Sequence, residues 1–255
     1  MKRLLASFTL LCLVALSGCA HAESLLDVRV IDLDQGSALE PIPHAGRDYI
    51  AGLPGHRFSV SLQNLTGERV MAVLSVDGVN AVSGQTASTS QAGYVLEPWQ
   101  QVEIRGWRKS YSDIAEFYFT DLPDSYAART GRPQNVGVVG VAAFRERRQP
   151  IAYQPAPMIG AMEKSAADSS AGASAGRAES SAPSVMAQQL GTGHGQRRYD
   201  PVTRTEFERD STRPNQRIAL YYDSVDALVA RGILHDRGYG RQPDPFPVGF
   251  VPDPR

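Results

Sequence analysis

The fold is decided by residues 56–78, HRFSVSLQNLTGERVMAVLSVDG. Apolar and polar residues alternate between Phe58 and Gln63, which is the period of a half-buried β-strand. Residues 64–68 (NLTGE) have the composition of a turn. Residues 70–76 carry apolar side chains at both odd and even positions, so both faces of this second strand are predicted to be covered. We therefore expect a β-hairpin that forms the nucleus of a β domain.

Further strand patterns lie on both sides of this pair. They fall at residues 25–33, 94–96, 101–107, 115–121 and 135–144. No stretch before residue 220 has the length and period of a convincing helix. About six to eight short strands with regularly spaced turns favour an antiparallel β-sandwich, which we assign to residues 25–152.

The composition changes after the β domain. Residues 153–190 are dominated by Ala, Ser and Gly. Such a segment buries too little apolar surface to offset the entropy lost on ordering, so we predict a flexible, disordered linker. Residues 238–255 are rich in Pro and Gly and are predicted to form a loose tail.

A small C-terminal block, residues 191–237, lies between the linker and the tail. Within it, residues 217–222 (RIALYY) have the composition of a strand. Ser224 is placed to cap a short helix, and Gly232 is placed to end it. A strand and a helix are too small to form a core of their own. We therefore expect this strand–helix block to dock on the β domain.

The N-terminus has the features of a secretion signal. Two basic residues precede an apolar run, residues 4–16, which is shorter than a membrane span. Small residues follow, directly before Cys19, and this arrangement resembles the bacterial lipobox, in which the chain is cut before the cysteine and the thiol is acylated. We predict a lipoprotein signal peptide at residues 1–18 and a tether at 19–24 that is lipidated at Cys19. An ordinary secretory signal is the alternative.

The residue after the predicted anchor, Ala20, indicates a location. By resemblance to the sorting rule of enteric bacteria, a residue other than aspartate at this position directs a lipoprotein to the outer membrane, here on its periplasmic face. Cys12, the other cysteine of the sequence, leaves with the signal. We therefore expect no disulfide, no cysteine metal site and no cysteine nucleophile.

The balance of charges excludes one class of partner. The sequence has 26 basic and 27 acidic side chains, a formal net charge of −1. A protein that binds nucleic acid has a strongly basic face, and this composition does not supply one. The expected partners are a membrane, reached through the lipid, and an envelope protein or a glycan.

Several stretches resemble a known family. They are residues 75–88 (SVDGVNAVSGQTAS), 93–110 (GYVLEPWQQVEIRGWRKS), 122–147 (LPDSYAARTGRPQNVGVVGVAAFRER), 191–214 (GTGHGQRRYDPVTRTEFERDSTRP) and 218–233 (IALYYDSVDALVARGI). Over about half of its length the chain resembles a family of proteobacterial envelope lipoproteins with no assigned activity. The resemblance implies no catalytic residue. It does imply that the β domain and the C-terminal block occur together across a variable linker.

The sequence contains no catalytic motif in a suitable context. It lacks the His-Glu-x-x-His, Walker and Ser-x-x-Lys patterns, and its Gly-x-Ser-x-Gly match, residues 172–176, lies in the Ala-, Ser- and Gly-rich segment and not at a predicted strand-to-helix turn. The histidines are scattered without the spacing of metal ligands, so we expect neither a metal nor a cofactor. His194 lies in the glycine-rich stretch 191–195 (GTGHG), which could offer backbone N–H groups to an anion. We interpret this stretch instead as a flexible hinge at the end of the linker.

The first candidate binding segment is RGWRK, residues 105–109. It places Trp107 among three cations, Arg105, Arg108 and Lys109. An indole ring and guanidinium groups suit sugar rings, lipid phosphates and acidic glycans. The alternative is that Trp107 packs in the core or under the C-terminal block, while the cations are solvated.

The second candidate binding segment is the loop DSYAARTGRP, residues 124–133. It joins two predicted strands and carries Tyr126, Arg129 and Arg132. Loops on a rigid scaffold often carry function. The alternative is structural, with Tyr126 anchoring the loop and Arg129 paired with Asp121 or Asp124.

These features support three hypotheses of function. The first is a non-enzymatic, lipid-anchored envelope protein that acts as a binding or structural module. The second is a subunit of an envelope assembly that uses the C-terminal block as a partner-binding arm. The third is an envelope hydrolase whose site forms between the two blocks, around His194, Asp200 and the Tyr126–Arg132 loop.

Overall fold

The computed structural model describes residues 24–148 and 188–235. The predicted signal peptide, the predicted lipidation site Cys19, most of the predicted linker and the predicted tail lie outside these residues. The described strands are β1 (Leu26–Asp32), β2 (Ser37–Ala38), β3 (Ile42–His44), β4 (Arg47–Gly52), β5 (Arg57–Asn64), β6 (Val70–Val76), β7 (Val79–Asn80), β8 (Tyr94–Leu96), β9 (Gln101–Ile104), β10 (Gly106–Arg108), β11 (Asp113–Asp121), β12 (Val138–Arg145), β13 (Leu190–Tyr199) and β14 (Gln216–Ser224). The described α-helices are α1 (Tyr126–Arg129) and α2 (Val225–Ala230).

The strands form two sheets that pack face to face. Sheet A has the order β10-β11-β5-β1-β2, with β13 also paired to β11 and β9 also paired to β5. Sheet B has the order β3-β4-β14-β12-β6-β7, with β8 also paired to β6. In the described part of the chain β4 and β14 are the one parallel pair. The predicted fold class, a mainly β sandwich followed by a small strand–helix unit, is confirmed.

The predicted hairpin at residues 56–78 is wrong, although both of its strands exist. β5 pairs with β1, β9 and β11 in sheet A, whereas β6 pairs with β7, β8 and β12 in sheet B. The turn between them therefore crosses from one sheet to the other. The Asn64 side chain holds this turn, since its Nδ2 donates to Glu68 O at 2.7 Å and its Oδ1 accepts from Thr66 N at 2.9 Å.

The prediction that β6 is covered on both faces is confirmed, and a different hydrophobic cluster covers each face. Val70, Ala72, Leu74 and Val76 face the core between the sheets. Met71 and Val73 lie on the outer face in a second cluster. Phe144, Val95 and Phe207 pack against them there and cover this outer face.

An aromatic stack fills the centre of the core. The rings of Phe58 and Phe119 lie 4.3 Å apart, and those of Phe58 and Phe117 lie 5.3 Å apart. Tyr222 from β14 packs against Phe119 at 5.4 Å. The stack therefore joins β5 and β11 of sheet A to β14 of sheet B, and buried aromatic pairs of this kind add to the stabilisation from burial alone.

Both C-terminal strands are parts of these sheets. β13 pairs with β11 along nearly its full length, and β14 lies between β12 and β4. Two buried carboxylates connect β13 to the other sheet: Asp77 accepts from Thr192 N at 2.7 Å, and Asp223 accepts from Leu190 N at 3.0 Å. The two carboxylates thus accept from N–H groups of β13 that donate to these side chains instead of to β11.

The predicted C-terminal helix is confirmed as α2. The Ser224 side chain accepts from Ala227 N at 3.2 Å, which is the N-cap bond expected from the sequence. Gly232 has φ of 68°, and its N–H donates to Val229 O, while Ile233 N donates to Leu228 O. This is the Schellman pattern of a helix end. No helix in the two described ranges is long and apolar enough to cross a membrane.

Candidate functional site

The structure brings both predicted binding segments to one place. Trp107 on β10, Tyr126 at the start of α1 and His194 on β13 form a cluster of three rings. Cationic side chains lie beside these rings. We call this group the basic–aromatic surface, and its members are Trp107, Lys109, Tyr126, Arg129, Arg132 and His194.

The three rings form a compact stack that runs from the core to the solvent. Trp107 is 2 % exposed and meets Phe117 of the core edge-on at 4.8 Å. The centroid of Tyr126 lies 5.0 Å from Trp107 and 5.3 Å from His194. His194 is nearly parallel to Trp107, at 11° and 6.5 Å. Because Trp107 is fixed in the core, it gives the outer rings a rigid base. The alternative that Trp107 packs in the core is thus correct, and its ring also forms the base of the basic–aromatic surface.

The short helix α1 positions the second segment. No helix of convincing length was expected before residue 220, and Tyr126–Arg129 form only a single helical turn. The Ser125 hydroxyl caps it by accepting from Ala128 N at 3.2 Å. Arg132 then folds back, so that its guanidinium lies 5.7 Å from the centre of the Tyr126 ring. This contact is within the range of a cation–π interaction.

The charge around His194 is positive. Burial lowers the pKa of His194 below its ordinary value, and the nearby charges of Lys109 and Arg129 lower it further. A neutral imidazole beside two cations leaves the site with net positive charge near neutral pH. An anionic group bound there would meet these cations and would favour protonation of His194.

The interpretation of residues 191–195 as a flexible hinge is wrong. Gly191, Gly193 and Gly195 lie within β13 and face crowded neighbours. A Cβ on Gly193 would lie 2.1 Å from Cζ of Tyr118, and one on Gly191 would lie 2.6 Å from Cβ of Ser125. The glycines are therefore required by close packing, and the strand holds His194 in place.

The indole N–H of Trp107 is an unusual feature of this site. The Nε1 atom is buried and has no hydrogen-bond partner among the described residues. Nearly all buried hydrogen-bond donors in proteins have an acceptor, because a buried donor without one costs free energy. Trp107 itself lies at the base of the ring stack, beside the rings of Tyr126 and His194.

Two cations of the first segment do not join the surface. Arg105 forms an ion pair with Glu103, in which Nε lies 2.9 Å from Oε1. Arg108 points to the other side of β10, where its guanidinium binds the Asp200 side chain and its Nε donates to the Tyr94 hydroxyl at 3.3 Å. Successive residues of a strand point to opposite faces, which explains why Trp107 and Arg108 diverge.

A groove of about 1310 Å³ adjoins Arg108 on that other side. Met71 and Phe207 contribute apolar surface to it, and Lys109 and Arg209 contribute charge. Arg209 is already engaged, since it donates to the carbonyl oxygen of Thr89 at 2.7 Å and stacks on a ring of the second cluster. Lys109 lines this groove, and its charge also lowers the pKa of His194. Lys109 therefore lies between the groove and the other members of the basic–aromatic surface.

The structure does not assemble the hydrolase site considered from the sequence. His194 and Asp200 are six residues apart along β13 and its end, which corresponds to roughly 20 Å of extended chain. The Asp200 carboxylate is bound by Arg108, whereas His194 packs on Tyr126. A base and its orienting acid need hydrogen-bond contact, and these two residues lack it.

A second group of titratable residues, Asp32, Asp34 and His56, has ligand atoms within 4.8 Å of one another. Their oxygens are already engaged by the protein. Asp32 Oδ1 accepts from two backbone N–H groups, and Asp32 Oδ2 lies 2.8 Å from His56 Nδ1. The Arg57 guanidinium binds Asp34 at 2.6 Å and lowers the pKa of that carboxyl. A cation would have to displace Arg57, so this group fits a loop-stabilising network better than a metal site.

No sequence pattern indicates the buried polar network around Asp77. Its carboxylate accepts from the Tyr222 hydroxyl at 2.6 Å, from Gly137 N at 2.9 Å and from Thr192 N at 2.7 Å. Burial raises the pKa of Asp77 to about 6, although these hydrogen bonds oppose the rise. In the sequence Asp77-Gly78 is simply a turn signal. Its partners are distant in the chain, and no local pattern connects them.

Comparison of the chain with protein families, with curated proteins and with solved structures finds no match.

Proposed function

We propose that this protein is a non-enzymatic lipoprotein of the bacterial envelope, anchored through Cys19 to the periplasmic face of the outer membrane. It acts there as a binding module, and the basic–aromatic surface is its binding site. The ligand class is an anionic glycan. The observation that carries the proposal is the convergence of Trp107, Tyr126 and His194 with cations from separate segments of the chain.

The chemistry of the surface fits this ligand. Aromatic rings stack on the apolar faces of sugars, and arginines bind carboxylates and phosphates through paired N–H groups. The rings are held by the core and the cations by α1 and its following turn, so little ordering is needed on binding. A rigid surface with neighbouring rings and positive charge recognises acidic sugars better than neutral ones.

The binding test uses two soluble glycans and the full-length protein in detergent micelles. Oligogalacturonate is acidic, and maltohexaose is neutral. Isothermal titration should show binding of oligogalacturonate only. The Arg129→Gln, Arg132→Gln double variant should weaken this binding at least about tenfold, because each charge-assisted hydrogen bond contributes roughly 1.5–3 kcal/mol.

Arg105→Gln is the matched control. Arg105 directly precedes β10, but its guanidinium is paired with Glu103 and is not part of the basic–aromatic surface. It should bind oligogalacturonate as the wild type does. Equal affinities of the wild type and of the double variant would refute the assignment of the binding surface.

The anchoring is tested separately in cells. Cys19→Ser should abolish the incorporation of labelled palmitate. Ala20→Asp should move the protein from the outer-membrane fraction to the inner-membrane fraction of a sucrose gradient. Unchanged palmitate labelling in Cys19→Ser would contradict the lipoprotein assignment.

The alternative of a partner-binding arm is not favoured by the geometry. β13 and β14 pair with strands of their own chain, and Asp77 and Asp223 bind two of the remaining N–H groups of β13. β14 is paired on both sides and has no free edge for a partner, and β13 offers only the edge opposite β11, where Asp77 and Asp223 already bind two N–H groups.

A further inference from the structure

Trp99 is an exposed tryptophan that takes no part in the basic–aromatic surface. It lies between β8 and β9 and is 65 % exposed. Trp107, the other tryptophan of the sequence, is 2 % exposed. A tryptophan left in contact with water exposes a large apolar ring, which suits contact with a second surface.

The backbone of Trp99 is strained. Gln100 N donates to Glu97 O at 3.1 Å, which closes a turn with Pro98 and Trp99 at its two central positions. Trp99 has φ of 62°. Proline followed by a residue with positive φ is the arrangement of a type II turn, and glycine is the usual residue at the second of these positions. The fold alone would therefore favour glycine, and strain of this kind is common at functional sites.

The turn that presents Trp99 is held firmly. Asn64 Nδ2 donates to Glu97 O at 2.9 Å, and Trp99 N donates to Thr66 O at 3.2 Å. The indole ring lies over Gly67, where a Cβ would come within 3.8 Å of its Cζ2 atom. These contacts fix the direction in which the ring projects.

This turn lies next to the point where the chain enters the sandwich. Leu65 N donates to Leu25 O at 2.9 Å. β1 and β9 flank β5 on opposite sides, with Leu26 opposite Asn64 and Gln101 opposite Gln63. Neighbouring strands are about 4.8 Å apart, so the entry of the chain lies roughly 10 Å from the base of the Trp99 turn.

The inference rests on the proposed lipid attachment at Cys19. Five residues separate Cys19 from Leu25, and even a fully extended chain of that length spans only about 20 Å. The end of the sandwich at Leu25 must therefore stay close to the bilayer. Pro98 beside Trp99 is exposed and Leu65 is partly exposed, so the same end carries an apolar tip.

We propose that this end of the sandwich rests on the membrane and that Trp99 enters the headgroup region of the bilayer. Tryptophan favours this region because its ring is apolar and its N–H can bind polar headgroups. The lipid and Trp99 then act as two contacts that fix the orientation of the domain. The basic–aromatic surface is thereby held at a constant angle to the membrane.

The test places the full-length lipoprotein in vesicles of phosphatidylethanolamine and phosphatidylglycerol and follows tryptophan fluorescence. Subtracting the Trp99→Gly signal isolates the emission of Trp99. Lipids brominated near the headgroup should quench this emission at least about twofold, and aqueous iodide should quench it only weakly. Quenching by iodide but not by brominated lipid, with the protein still floating with the vesicles, would overturn the inference.

Two further measurements separate the possible causes of failure. Trp99→Gly should melt at the same temperature as the wild type or higher, since glycine relieves the strain; a clear drop would refute the strain argument. Tyr199→Ala removes an equally exposed ring from β13 and should leave the quenching of Trp99 unchanged. A protein that does not float with the vesicles at all would refute the lipid attachment itself, and the inference with it.

Discussion

The substitution Tyr222→Phe tests the network that joins the two sheets. The Tyr222 hydroxyl is buried and lies 2.6 Å from both Asp77 Oδ1 and Thr192 Oγ1. Burial and the charge of Asp77 raise the pKa of Tyr222 well above its ordinary value, so the hydroxyl keeps its proton and donates to Asp77. Phenylalanine preserves the ring in the aromatic stack and removes this one donor.

The cost follows from the contacts that are lost. A hydrogen bond to a charged group contributes about 1.5–3 kcal/mol, and the Thr192 hydroxyl also loses its partner. We expect the free energy of unfolding to fall by about 2–3 kcal/mol at pH 7.5. For a domain of this size that corresponds to a drop of roughly 4–12 °C in melting temperature.

The loss should depend on pH. The folded-state pKa of Asp77 is about 6, above the ordinary value of 3.8, so the folded protein holds this proton more tightly than the unfolded chain does. Stability from this group is therefore fully present below about pH 4 and is lost as the pH rises to about 6. Because the Tyr222 hydroxyl lowers the pKa of Asp77, its removal extends that loss above pH 6. Tyr222→Phe should thus cost more at pH 7.5 than at pH 4.5.

The assay is urea unfolding of both proteins at pH 4.5 and pH 7.5. Tyr221→Phe is the matched control, because Tyr221 directly precedes Tyr222 in β14. Its ring packs on Tyr49 at 5.5 Å and takes no part in the hydrogen bonds around Asp77. It should change stability by less than about 0.5 kcal/mol. Equal losses for Tyr222→Phe at the two pH values, or none at pH 7.5, would refute the role given to Asp77.

Three other substitutions test separate contacts. Arg231→Gln leaves the buried Asp223 carboxylate without its cation, which lies 2.8 Å away, and should cost about 3 kcal/mol in urea titration. Ser224→Ala removes the cap of α2 and should cost about 1 kcal/mol, whereas Ser224→Asn should retain most of it. Gly106→Ala would place a Cβ 2.1 Å from Ala115 O and should cost about 3 kcal/mol by calorimetry; an unchanged melting temperature would contradict the β10–β11 pairing.

Local patterns predicted the individual elements well. Residues 115–121 were predicted as a strand, and Phe117 and Phe119, which share one face of it, are both fully buried. The ends of α2 followed from Ser224 and Gly232, because a cap bond and a left-handed residue depend on neighbours within one turn. Such features are encoded by a few adjacent residues, so a single sequence is sufficient to find them.

Strand pairing was harder to predict. The alternation around Phe58 shows which side chains are buried, but any strand with a compatible face could lie beside it. The turn at residues 64–68 is short enough for a hairpin, yet it crosses between the sheets. What decides the crossing is the set of bonds from Asn64 to Glu68 and Glu97, and the second of these is far away in the chain.

The candidate site was only partly visible in the sequence. Trp107, Tyr126 and Arg132 were selected by composition, but their meeting with His194 depends on β13 pairing with β11. The glycines around His194 suggested mobility, since a glycine required by packing looks the same in a sequence as one in a flexible loop. The side chain that distinguishes the two cases, Tyr118, is distant along the chain.

The central position of β14 determines the order in which the protein can be completed. Sheet B connects β3 and β4 to its other strands through β14, the last of the described strands. During synthesis, these early strands must wait until residues 216–224 have been made. Pairings between distant parts of a chain form slowly, and incomplete sheets expose apolar faces that aggregate. A chain truncated before residue 216 would leave β4 without its β14 partner, so β3 and β4 join the rest of sheet B only once residues 216–224 are present.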